Sequence, residues 1–75
     1  MKIKTLEQTH KLLKDNVKNN RELVGVLVKE YKRKYNTNYL DGVLESNEMR
    51  ELEKRKRRLR EAKKTLTMFE EMELN

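Results

Sequence analysis

A chain of 75 residues with 43% charged and 35% hydrophobic residues can make one domain at most, and folding at that length removes only about 60% of the unfolded surface from water, which leaves stability marginal. The absence of cysteine excludes disulfides and thiolate chemistry, a lone histidine argues against a zinc site, and no cofactor is expected. A net charge of +6 and a pI near 9.7 direct attention to nucleic acid, anionic lipid or an acidic protein surface as partner.

With no proline and only two glycines, the chain has high helix propensity almost throughout. Its first eight residues contain no apolar run of signal-peptide length, and no segment approaches the ~20 apolar residues that span a bilayer. The expected compartment is cytoplasmic.

Thr5-Leu6-Glu7-Gln8 reads as a capping box, so the first helix is expected from about residue 5 to about residue 36. Leu6, His10, Leu13, Val17, Asn20, Val24, Leu27 and Tyr31 follow a four-three spacing along one side of it. Leu12, Leu23, Val28 and Tyr35 widen that stripe to an arc of roughly 160°, more than one neighbouring helix covers. A second neighbour is implied, with Leu12, Leu23, Leu27 and Tyr31 as its contact residues. Two features could interrupt this helix. Asn19-Asn20-Arg21-Glu22 could cap a new helix, and Leu23 to Val28, with Gly25 among three valines, could form a short strand. No second strand-like run exists to pair with such a strand. In a continuous helix Asn20 is either a buried register-setting residue or a polar residue at the wet edge of the seam.

From Asn36 to Glu45 helical periodicity is lost, and Asp41-Gly42 is a turn dipeptide, so the chain reverses over about residues 37–46. Tyr39, Leu40, Val43 and Leu44 are expected to plug the end of the hairpin core. Ser46, followed by Asn47 and Glu48, reads as the N-cap of a second helix over about residues 47–73. Its inner face carries Leu52, Leu59, Ala62, Leu66 and Phe69, with Glu48 and Arg55 intruding on the same seam. The expected fold is all-α: two long antiparallel helices in a hairpin, associating into a dimeric four-helix bundle. Charge favours this pairing at both ends, with Lys29, Lys32, Arg33 and Lys34 approaching Glu45, Glu48, Glu51 and Glu53, and Lys2, Lys4, Lys11 and Lys14 approaching Glu70, Glu71 and Glu73.

The middle is different. Glu53 to Lys64 holds eight basic and two acidic residues, a net +6 equal to that of the whole chain. It faces Lys18 to Val28, whose one acid is Glu22. Lys54, Arg57, Arg58, Arg60, Lys63 and Lys64 lie on the outward face or shoulders of the second helix, over about 15 Å of axis. Four of the eight basic residues are arginine, whose planar fork suits phosphate. The arrangement is not a basic leucine zipper, because the basic residues interleave with the leucines instead of preceding them. Contact with a polyanion backbone is therefore expected, with little base readout. The alternative is a protein-protein interaction module that docks on a larger partner through the wide apolar face. Tyr31, Tyr35 and Tyr39 are expected in the core, with base stacking as the other possibility. Two helices offer no enclosed pocket to tune a carboxylate pair, so no enzymatic activity is expected.

Overall fold

The structure is a computed structural model that describes the backbone of residues 2–74 and the side chains of residues 5–74. Two helices, α1 (Lys2–Tyr35) and α2 (Ser46–Glu73), pack against each other as a hairpin. At about 1.5 Å rise per residue, the 34 residues of α1 span about 51 Å, and the molecule's longest extent is 51 Å. α1 therefore runs straight through Asn20 and Gly25. Neither the second cap nor the strand forms: a Cβ built on Gly25 meets nothing within 4 Å, and Asn20 Nδ2 donates to the Asn16 carbonyl at 2.7 Å and to Asn16 Oδ1 at 3.0 Å. Asn20 thus satisfies itself within its own helix at the edge of the seam.

The capping box at Thr5 does not start α1. The helix already runs from Lys2, because nothing in Lys2-Ile3-Lys4 breaks it, and Thr5 lies one turn inside. Its end is set by Asn36, whose φ of 49° places it in the left-handed region. The Thr37 N–H bonds to the Lys32 carbonyl at 3.1 Å and the Asn36 N–H to Arg33 at 3.3 Å. This pair is the Schellman closure, here with asparagine in place of glycine. The connection then makes a tight turn with the Val43 N–H on the Leu40 carbonyl at 3.2 Å, and Gly42 supplies the positive φ of 75°. α2 begins one residue before the expected start. Its N-cap is Glu45, and Ser46 is the first helical residue, because Glu48 reaches back to accept the Glu45 N–H at 3.0 Å.

Between the helices lies a single apolar seam. Val17, Leu27, Leu52 and Ala62 are its buried members, flanked by half-buried Leu13, Val24, Tyr31, Leu59, Leu66 and Phe69. Among the described residues no side chain falls below 2% exposure, as expected where each helix has one neighbour. The loop does not plug the end of the core as expected. Leu40 and Leu44 are half-buried, but Val43 is exposed and Tyr39 is 80% exposed, because the connection puts Tyr39 in the lining of a lateral cleft instead of in the seam.

Candidate nucleic-acid interface

The Leu52, Leu59 and Leu66 ladder turns the rest of α2 outward, and Lys54, Arg57, Arg58, Arg60, Lys63 and Lys64 are all exposed. Arg60 has an acid beside it after all, Glu53 at 3.6 Å, but both are well exposed and such a pair is worth little. Arg55 is used structurally: its Nε donates to Glu51 at 3.1 Å and its Nη1 to the Leu23 carbonyl of α1 at 3.2 Å. Lys54, Arg57, Arg58, Lys63 and Lys64 have no carboxylate within ion-pair distance among the described residues.

These cations do not form one face. At about 100° per residue, Lys63 to Arg58 sweep an arc of about 220° around α2, more than a single strand or groove can touch. The hairpin divides them between two long edges. One edge carries a cleft of about 570 Å³, with Val28, Leu44 and Leu52 as its floor, Lys32 and Lys56 at its sides and Tyr39 at its mouth. On α1, Arg21 and Lys14 precede Lys32 by 11 and 18 residues, and on α2, Arg60 and Lys63 follow Lys56 by four and seven. Each interval is close to a whole number of turns, so all four stand on that same edge. The opposite edge is marked by Asn16 and Asn20 of α1 with Arg58 and Thr65 of α2. Leu12 and Leu23 share it on α1, and Lys54 and Met72 on α2, while Arg57 and Lys64 point straight outward.

The expected oligomer contacts therefore have different surroundings. Leu12 is 68% exposed and Leu23 49% exposed, only partly covered by the hairpin, whereas Leu27 is buried in the hairpin's own seam and Tyr31 is half-buried there. Met68 and Met72 of α2 are also exposed.

The closed end is a clamp built on Glu48, a buried carboxylate. Lys34 Nζ donates to its Oε2 at 2.7 Å, and the Tyr35 hydroxyl and the Glu45 N–H both donate to Oε1. Those bonds, Lys34 first, hold the Glu48 carboxyl down to about 2. The same contact raises the Lys34 ammonium and the Tyr35 phenol, while burial, followed by the charges of Glu48 and Glu51, raises the Tyr31 phenol. Of the expected end pairings, Lys34 with Glu48 forms; Lys32 instead lines the cleft and Arg33 is exposed. At the open end Glu70 bonds His10 at 2.8 Å, with the imidazole stacked on Phe69 at 5.8 Å. The expected partners Lys2 and Lys4 lie outside the described side chains.

Tyr31 and Tyr35 thus belong to the packing, and Tyr39 does not. The linear charge count picks out the basic stretch of α2, and the sequence offers Tyr39 as a stacking residue and Lys32 as an end-pairing residue, but it does not join them, or Lys14 and Arg21, to that stretch. They are distant in sequence, and only the antiparallel register brings them to Lys56, Arg60 and Lys63. No helix among the described residues is long and apolar enough to cross a membrane. Comparison with known proteins gives no matching family model, curated protein or solved structure.

Proposed function

We propose that this hairpin is a non-enzymatic nucleic-acid-binding protein that contacts phosphate backbone through the basic residues of α2. The observation that carries this reading is the exposure of Lys54, Arg57, Arg58, Arg60, Lys63 and Lys64 with a single weak ion pair among them. Cations so placed release counterions when they neutralise phosphates, and that release drives association. Glu48 itself is spent on the fold: its carboxylate is held by Lys34, Tyr35 and the Glu45 N–H, which leaves it no role as a general base. Replacing Arg57, Arg60 and Lys64 together by glutamate should leave helicity unchanged and weaken polyanion binding at physiological salt. Retained binding at parental affinity would refute the reading.

A second property is supported by the surface. The chain exposes 6407 Å², whereas a compact monomer of 9.2 kDa exposes about 4,900 Å². The excess is larger than the ~800 Å² per partner that a standard interface covers. Exposed Leu12, Leu23 and Met72 lie on the edge opposite the cleft, and we infer that a second copy packs there to give a four-helix bundle. The same apolar edge is what would support the other reading, an adaptor docked on a larger protein. Sedimentation at micromolar concentration separates them: a folded monomer excludes the dimer.

A further inference from the structure

The cleft and the cations of its edge run along the same side of the hairpin. By helical periodicity Lys14, Arg21 and Lys32 of α1 and Lys56, Arg60 and Lys63 of α2 flank one long groove between the helices, and Lys32 and Lys56 also line the cleft at its end together with Tyr39. From Lys14 to Lys32 the groove extends about 27 Å along α1. Five carboxylates stand near it, Glu71 among them, since it lies 18 residues and so five full turns beyond Glu53 at the open end. Glu7 and Glu70 are at the open end, with Glu70 engaged by His10; Asp41 and Glu53 border the cleft, with Glu53 facing Arg60. The net charge of the groove between these ends is positive.

Tyr39 has no duty in the fold. Its ring is 80% exposed, and its hydroxyl bonds nothing among the described residues. Its backbone is nevertheless fixed, since the Tyr39 N–H donates to Thr37 Oγ1 at 3.1 Å and that hydroxyl donates to the Tyr39 carbonyl at 3.2 Å. An aromatic ring presented on a fixed backbone loses little entropy when something stacks on it. The cleft beside it is lined by Val28, Leu44 and Leu52 and by Lys32 and Lys56, whose charge Asp41 and Glu53 balance, so its attraction for a base is apolar, and its volume falls within the ~300–1,000 Å³ range of small-ligand sites.

We propose that this groove binds single-stranded nucleic acid, with the backbone tracking the lysines and arginines and one unstacked base entering the cleft against Tyr39. The inference rests on the nucleic-acid reading above and adds strand type and site. A duplex keeps its bases stacked and has nothing to offer the cleft. A single strand presents both a charged backbone and a free π-face, which are the two features the groove matches. An acidic peptide would match the charge alone.

The test is fluorescence anisotropy with a labelled oligonucleotide of about 12 nucleotides, compared with the duplex of the same sequence and with polyglutamate, at one low salt concentration. The parent should bind the single strand at least tenfold more tightly than either competitor. Tyr39→Ala should lower single-strand affinity by about five- to 150-fold and leave duplex affinity unchanged. Lys32→Gln with Lys56→Gln should weaken single-strand binding more than Lys54→Gln with Arg57→Gln, although both pairs remove the same charge. Equal binding of single strand and duplex, indifference to Tyr39→Ala, or equal effects of the two double variants would overturn this inference and leave the broader nucleic-acid reading standing, whereas polyglutamate binding as tightly as the strand would overturn both in favour of an acidic protein partner. Failure of the parent to bind either nucleic acid would overturn both.

Discussion

Replacing Leu27 by alanine measures how much of the fold depends on its one seam. Leu27 is 5% exposed, and the change removes three buried carbon atoms, worth about 2.4 kcal/mol at ~0.8 kcal/mol each. In a closed core the remaining void would add substantially, up to about 5 kcal/mol in total. Here each helix has one neighbour and no described side chain falls below 2% exposure, so the void opens at its rim and can partly close. The expected loss is therefore about 2.5 kcal/mol. For 75 residues the whole stability is roughly 4–11 kcal/mol, and the melting temperature should drop by about 10–20 °C. Urea and thermal unfolding followed by far-ultraviolet circular dichroism would read both quantities. A loss below about 1 kcal/mol would refute the seam as the source of stability. Leu12→Ala is the control: at 68% exposure it should cost a few tenths of a kcal/mol in an isolated hairpin. A loss that grows with protein concentration would show that a second copy covers it.

Gly25→Ala should stabilise α1 by about 1 kcal/mol, because a Cβ there meets nothing within 4 Å; a destabilised variant in urea titration would reveal a packed neighbour at that position. Gly42→Ala should do the opposite, costing about 1–2 kcal/mol, since its φ of 75° is left-handed although the space around it is equally open. The Glu48 carboxyl is depressed from 4.5 to about 2, so its contribution to stability is fully present above pH 4.5 and is lost as the pH falls toward 2. Unfolding of the parent and of Glu48→Gln across that window should therefore converge on acidification, and a constant difference would contradict the clamp.

Much of this architecture was readable from periodicity and turn chemistry. The four-three spacing of α1, the Asp41-Gly42 reversal and the leucine ladder of α2 are local signals, and the hairpin follows from them. The helix boundaries were less readable because local caps competed with tertiary contacts. Thr5 has a capping pattern but its upstream residues are helical too, and Glu45 takes the cap that Ser46 could have filled because Glu48 is already fixed by Lys34 and Tyr35. The exposure of Tyr39 is not legible in the sequence, because hydrophobicity alone does not say on which side of a turn a ring emerges. The basic residues of α2 were found by counting along the chain, but a count carries no angular information. Dividing them between two edges, and joining one set to Lys14, Arg21 and Lys32, required the register of the two helices.

The claim that this hairpin is a phosphate-binding protein is tested most directly by the salt dependence of its affinity for a single-stranded oligonucleotide. Each phosphate neutralised contributes about −0.7 to the slope of log affinity against log salt, so engagement of the six groove cations should give a slope of about −4. A slope near zero, or affinity too weak to measure at low salt, would contradict the account.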